Sequence, residues 1–328
     1  MKKILIFGAT GNLGLYLVDF LAEHLDRSEY EILALGRRKT DYFDRFNVGY
    51  IPFSIEDPEA YVRLPQSGVY AAVHLANVMP ARLTGSDPAA YIRVNTLGTA
   101  YLLEYLRKVH ADRILFTQTY ADLAGHWDNE ICLRNELPRK LKFTGDHAVY
   151  TISKCAAVDL IEHYHQEFGL RNFIFRLPNI YMYSPETYYY VDGQKKLISY
   201  RYMIRQAMEG APIEMWGNPD RGRDIVYVKD FCQMVWRALI CRRDTGFYNV
   251  GTGVQTSLRD QIQGIVDVFS PKGKRSEIIP RPDKYDAMQY VMDIGNAKAE
   301  LGYEVQYDYL SYLKDYQKEM QSDRFQGI

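Results

Sequence analysis

The chain predicts an α/β fold: a doubly wound parallel sheet covered by helices on both faces, with a smaller mixed domain towards the C-terminus. Three observations predict it. Short apolar runs without polar alternation recur through residues 1–120, as strands buried on both faces do. Segments with helical apolar spacing separate them, giving a β-α-β order. A glycine-rich turn, "GATGNLG" at 8–14, stands where the first strand should meet the first helix.

The opening strand is "KKILIF" (2–7), and Gly8, Gly11 and Gly14 follow it at every third residue. The first permits a tight turn, the second lets backbone approach a pyrophosphate, and the third lets helix and strand pack closely. Leu13, Leu17, Phe20 and Leu21 then recur at helical spacing, so a helix N-terminus faces the anion. The spacing is G-x-x-G-x-x-G, not the commoner G-x-G-x-x-G, and a purely structural turn is the plain alternative. The second strand, "YEILALGRR", ends in Gly36-Arg37-Arg38. An acidic residue there would hold a ribose 2′-hydroxyl, whereas arginine pairs with a 2′-phosphate. Arg37 and Arg38 therefore favour NADP, with NAD as the alternative, unless both merely decorate a loop. Residues 49–58 and 68–78 supply further β-rich runs, 89–109 a long helical pattern, and 112–125 another buried strand. Nucleotide should sit at the carboxyl ends of these strands.

Composition narrows the function classes. A net charge of −1 over 328 residues argues against a dedicated nucleic-acid or acidic-membrane surface. No segment reaches the roughly 18 apolar residues of a membrane span, and the apolar run of "MKKILIF" is too short for the core of a signal peptide. Cys132, Cys155, Cys232 and Cys241 show no C-x-x-C and no ligand spacing, and read as reduced thiols of a cytoplasmic protein. His163 and His165 lie two apart on a helix and point apart, so no metal is expected. The 28 tyrosines, with "TYYY" at 187–190, suit either pocket lining or loop packing.

"HAVYTISK" (147–154) places Tyr150 four residues before Lys154, on one helix face. In so tyrosine-rich a chain the spacing alone means little. It gains meaning beside "GATGNLG" (8–14), "HLAN" (74–77), "VNTLGT" (94–99), "ILFTQT" (114–119), "RLPNIY" (176–181), "RDIVYVKD" (223–230), "NVGTG" (249–253) and "DIGNAKAELGY" (293–303). Together these resemble the extended short-chain dehydrogenase/reductase superfamily, in its NAD(P)-dependent nucleotide-sugar epimerase/dehydratase branch of UDP-glucose 4-epimerase type. The resemblance implies a Rossmann domain over 1–178, rejoined by 224–250, and a substrate domain from 179–223 and 251–328. It implies Tyr150 as proton acceptor, Lys154 as the cation that tunes it and binds the nicotinamide ribose, and Thr119 as the hydroxyl at the reacting oxygen. Thr117 competes with Thr119 but matches the strand interior. Cofactor contacts implied are Gly8, Thr10, Gly11, Asn12, Leu13, Gly14, Arg37, Arg38, Ile55, Leu75, Ala76, Asn95, Tyr150 and Lys154. Asn95 has an ordinary helix or turn residue as its alternative. Asn179, Arg223 and Arg281 match groups that grip a nucleotide-sugar diphosphate. Tyr290 matches the position that limits bulk at a hexose C2, or is simply a core aromatic.

The chain departs from that pattern in places. Gln118 stands for a usual Ser or Thr, one residue appears inserted before Gly125, and Met182-Tyr183 replace Gly-Pro. Tyr120-Ala121 replace the Asp-Glu pair that 4,6-dehydratases use, which demotes water elimination. "RKLK" (139–142) reads as a solvated loop. The expected activity is an epimerase or reductase of a nucleotide-activated sugar; a reductase of a small carbonyl and a non-catalytic dinucleotide sensor are the alternatives. Helices near 95–107 and 150–165 carry Leu103, Leu106, Ala157, Leu160 and Tyr164, and the resemblance implies that they pair across a two-fold axis in a homodimer.

Overall fold

The computed structural model describes residues 1–328 except Thr84, Ser86, Asp128 and Glu130. Its centre is a seven-stranded sheet in the order β9-β6-β5-β4-β1-β2-β3. The strands are β1 (Lys2–Phe7), β2 (Tyr30–Gly36), β3 (Gly49–Pro52), β4 (Val69–His74), β5 (Arg113–Thr119), β6 (Arg171–Leu177) and β9 (Thr245–Asn249). Every neighbouring pair is parallel. β5, at the middle of the sheet, is buried at every residue, which is why it reads as a continuous apolar run. The apolar runs overstate two strands: β3 stops at Pro52 and β4 at His74, so 53–57 and 75–78 are loops, and a 3₁₀ turn begins at Pro58.

Helices cover both faces: α1 (Asn12–His24), α2 (Pro88–Tyr91), α3 (Gly98–Lys108), α4 (His147–Phe168), α5 (Ser199–Glu209) and α6 (Val228–Ile240). The stretch read as one helix over 89–109 contains a wider-wound segment, Ile92–Leu97, between α2 and α3. Such π turns concentrate at functional sites, and this one carries Asn95. One face of the sheet packs on Leu5, Phe7, Leu102, Leu106, Ile114 and Ile161. The other shares a core with the C-terminal half, through Phe175, Phe231, Tyr248 and Tyr312.

Beyond the main sheet lie short two-stranded pieces and a hairpin, β7 (Tyr188–Val191) with β8 (Gln194–Leu197). Asp192 and Gly193 turn it at φ 48° and 73°, the left-handed pair a two-residue hairpin needs. The division at residue 178 is not a linker: Cys132–Leu133 pair with Val291–Met292, tying the first half to the last. The chain then returns to its start. Arg324 donates to Asp19, Thr40 Oγ1 donates to Gly327 O at 2.9 Å, and Phe325 stacks edge-on against Tyr16.

The residues expected at a dimer face do something else. Leu103, Leu106 and Ala157 are wholly buried in the protomer's own core, and Leu160 and Tyr164 pack against it. The apolar side chains these helices leave exposed are Ile92, Leu97, Ile152 and Phe168.

Candidate active site

β1 and β4 are neighbours in the sheet, and the chain winds away from them in opposite directions. The crevice beyond their carboxyl ends is therefore the switch point at which an open α/β sheet binds its ligand. Its near wall is the glycine turn. Gly8 sits at φ +87°, and a Cβ there would meet Ala76 N at 2.7 Å. A Cβ on Gly14 would come within 2.3 Å of Gly8 O. No side chain fits at either place, so backbone N–H groups and the start of α1 line the crevice. Among the other residues expected here, Leu75 is buried and Ala76 and Leu13 half-buried. Ile55 is buried against Gly98, whose Cβ position lies 3.0 Å from it. Thr10 packs under Gly36, and Arg38 Nη1 reaches back to Thr10 O at 3.5 Å. Arg37 is exposed beside it. A turn that any Cβ would fill, followed by a helix start, fits the pyrophosphate of a dinucleotide.

Asn95 does not present its amide to that crevice. Nδ2 donates to Val78 O and to Ser153 Oγ, both at 3.0 Å, and Oδ1 accepts from Val78 N at 2.8 Å. It holds the loop after β4 against α4.

The chemistry-bearing residues meet at the end of β5. Thr119 closes that strand, Tyr150 and Lys154 project from α4, and the Thr119 hydroxyl lies close enough to the Tyr150 phenol to act on its proton. Burial pushes the phenol well above its ordinary range, and the nearby Thr119 hydroxyl opposes it. Burial pushes Lys154 down to about 7. Its ammonium lies 3.9 Å from the centroid of Phe116 and makes no hydrogen bond to another described side chain. His74 is held neutral by burial and by the charge of Lys154, with Nε2 on Thr99 Oγ1 at 2.9 Å. Gln118 earns its place through two bonds: Oε1 accepts from Thr119 N at 2.8 Å, and Nε2 donates to Cys155 Sγ at 3.4 Å. It clamps the end of β5 to the catalytic helix. Thr117 faces inward, with Oγ1 3.5 Å from His74 O.

The opposite wall is aromatic. Tyr120 stacks on Trp127 at 4.9 Å and on Tyr290 at 5.2 Å. The Tyr181 phenol favours the charged form of Arg223, outweighing burial, and Tyr290 and Tyr120 act the same way. Arg223 Nε, Tyr290 OH and Trp127 Nε1 are buried without a hydrogen-bond partner among the described residues. Unpaired buried donors are costly, so an acceptor-rich group would fit this wall. Asp224, next to Arg223, instead accepts from Thr252 N, Gly253 N and Met292 N, and braces the "NVGTG" loop. Asn179 is exposed between β6 and the bridge at Ile180. Arg281 is already paired with Glu214 at 2.6 Å and Asp283 at 3.0 Å.

Comparison with known proteins agrees with this arrangement. The profile of the "NAD dependent epimerase/dehydratase family" matches residues 4–251. The chain belongs to that family. It is similar to dTDP-glucose 4,6-dehydratase 1 of Escherichia coli, 26% identical over 312 residues, covering 89% of this chain and 82% of that one. Among solved structures, the UDP-glucose 4-epimerase of Thermotoga maritima with UDP-glucose superposes with a TM-score of 0.77 at 22% identity, covering 98% and 100% of the two chains. The UDP-glucuronic acid 4-epimerase of Bacillus cereus in complex with NAD gives 0.72 at 20% identity, covering 97% of each. These likenesses establish the fold. No helix among the described residues is long and apolar enough to cross a membrane, and no cluster of metal-ligating side chains occurs among them.

Several pairings around the site carried no signal in the sequence. Arg176, the first residue of "RLPNIY", and Asp122 form a buried ion pair at 3.0 Å under the end of β5. "RKLK" is more than a solvated loop, since Gly125 N donates to Lys140 O and Lys140 N to Asp122 O. Arg201, Ser184 and Glu186 likewise have no motif, because their roles depend on partners far away in the chain.

Proposed function

We propose that this family member is an NAD(P)-dependent epimerase or reductase of a nucleotide-activated sugar, with NADP favoured and NAD the alternative, working by hydride transfer at a sugar hydroxyl or keto carbon. The observation that carries the reading is the meeting of Thr119, Tyr150 and Lys154 at the carboxyl edge of the sheet, beside the glycine-walled crevice. A bound nicotinamide dinucleotide supplies the hydride acceptor and donor. The residues of this chain handle the proton. A carbinol losing hydride must also lose its hydroxyl proton; Tyr150 takes that proton and returns it when the carbonyl is reduced. Burial alone keeps Tyr150 protonated, so its action as a base depends on positive charge nearby. Lys154, with a pKa of about 7, supplies that charge whenever it is protonated. Thr119 orients both the phenol and the reacting oxygen.

Arg223, with its unpaired Nε, suits the diphosphate as a charge-assisted donor. The family pattern makes Asn179 and Arg281 further candidate ligands of the diphosphate, Arg281 only by leaving one of its carboxylates. Tyr120-Ala121 provide no carboxylate for elimination, which favours epimerisation or reduction over dehydration. Arg37 and Arg38, at the end of β2, support NADP, because no carboxylate follows β2 to repel a 2′-phosphate. The exposed Ile92, Leu97, Ile152 and Phe168 support a homodimer across α3 and α4, which a solution mass at micromolar concentration checks. Four cysteines without a disulfide suit a reducing, cytoplasmic setting.

The test is incubation of the purified protein with UDP- and dTDP-linked hexoses, N-acetylhexosamines and hexuronic acids, with NADP or NAD. The expected result is a new epimer or a change in cofactor oxidation state, together with raised thermal stability in the presence of the converted sugar. Turnover of a small carbonyl with no response to any nucleotide sugar overturns the reading.

A further inference from the structure

The loop after β6 crosses the dinucleotide crevice instead of stopping at its edge. Ser184, Pro185 and Glu186 belong to the C-terminal half, yet Asn12, the first residue of α1, donates to Ser184 Oγ at 3.1 Å and to Glu186 Oε2 at 3.5 Å. The same Glu186 carboxylate accepts from Arg82, in the segment after β4. Asn12 follows β1 and Arg82 follows β4, so the two contacts lie on opposite banks of the switch-point crevice. A single carboxylate therefore joins both banks above the place where a dinucleotide must lie.

The segment is held from its inner side as well. Arg201 of α5, itself 8% exposed, donates to Met182 O at 3.0 Å, to Ser184 Oγ at 2.7 Å and to Glu186 O. Tyr16 OH of α1 donates to Tyr183 O at 3.1 Å. Further along, the turn of the β7–β8 hairpin is tied to the catalytic helix by Asp192 N on Asp146 Oδ2, at 3.2 Å. The inner bonds are buried, whereas Arg82 and Glu186 are 47% and 38% exposed. The fastening is thus the weak, solvent-screened end of an otherwise rigid loop, which is the end that can open.

We infer that residues 182–186 form a strap over the dinucleotide crevice, and that the Glu186–Arg82 and Ser184–Asn12 contacts are its fastening, which sets how fast the dinucleotide enters and leaves. The inference rests on the dinucleotide reading of the crevice. A gate and a binding contact differ in kinetics. Loosening a gate raises the association and dissociation rates together and leaves their ratio nearly unchanged; losing a contact raises dissociation alone.

The experiment is stopped-flow binding of NADPH, and separately NADH, to the full-length protein, followed by dinucleotide fluorescence. Wild type is compared with Glu186→Ala and Arg82→Gln, whose exposed side chains leave the core untouched. Both rates should rise roughly three- to tenfold in each variant, the scale of one exposed ion pair and one hydrogen bond. The double variant should be no faster than Glu186→Ala alone, because Arg82 acts on the fastening only through Glu186. Faster dissociation with unchanged association, or no change in either rate, overturns the strap. Failure of wild type to bind either reduced dinucleotide would instead overturn the reading of the crevice itself.

Discussion

The two walls of the crevice are built differently. The wall proposed for the dinucleotide is backbone: Gly8 and Gly14 leave no room for a Cβ, and a helix start follows them. The wall proposed for the sugar is side chains held by other side chains, with Arg223 set among Tyr120, Tyr181 and Tyr290. A backbone wall fails abruptly when any atom is added to it. A side-chain wall degrades by steps, one contact at a time, so substrate preference can change there without loss of cofactor. The proposed catalytic residues stand on β5 and α4 and should be separable from both.

Tyr150→Phe gives the sharpest separation and the largest expected effect. Turnover should fall by about 10²–10⁴-fold, the share of a positioned acid–base group, while titration shows dinucleotide affinity unchanged. A parallel loss of affinity would mean that chemistry and cofactor binding are not divided as described.

Lys154→Met comes next, read by chemical denaturation across pH. Burial depresses the pKa of Lys154 in the fold to about 7 from its ordinary value of 10.5. Below about 7 both states carry the proton, and the fold bears the whole cost of a buried ammonium. Above it only the unfolded chain keeps the proton, so wild-type stability should rise with pH until the ordinary value is passed, by up to about 5 kcal/mol. The methionine variant should lack that rise and be the more stable protein at pH 6, though inactive. Equal pH slopes in the two proteins would show that the ammonium is not desolvated.

Arg37→Ala probes the far end of the dinucleotide wall. It should weaken NADPH selectively, by about 1.5–3 kcal/mol for one charged hydrogen bond, and leave NADH alone. NADH bound as tightly as NADPH by wild type would remove the basis for preferring the phosphorylated cofactor.

The smallest effect separates the two arginines of the sugar wall. Arg281 is half-buried and satisfied by Glu214 and Asp283, whereas Arg223 has a buried donor without a partner among the described residues. Arg281→Gln should therefore raise the sugar KM only slightly, and Arg223→Gln by clearly more. The reverse order would make Arg281 the principal diphosphate ligand.

How much of this was legible beforehand follows from the same contrast. The glycine turn was readable because its constraint is local: each glycine answers to atoms within a few residues or to the next strand. The continuous apolar run of β5 was readable because burial on both faces leaves no alternation. Thr119, Tyr150 and Lys154 could be named because a family pattern marks them, not because spacing alone distinguishes them among 28 tyrosines. Leu103, Leu106 and Ala157 misled, since an apolar helix position looks the same whether it meets the protomer's own core or another chain.

The sequence by itself determined the fold class, the order of strands and helices, the place of the glycine turn and the absence of an acidic residue after β2. Each of these depends on neighbours close along the chain. Only the tertiary structure decided that Asn95 braces Val78 and Ser153, that Gln118 clamps Thr119 to α4, and that Glu186 joins Asn12 to Arg82. The same is true of Asp19, which receives Arg324 from 305 residues away. A polar side chain carries no record in its own neighbourhood of which distant donor will satisfy it. That pairing is fixed when the core excludes water and every buried polar group must find a partner among those brought within reach.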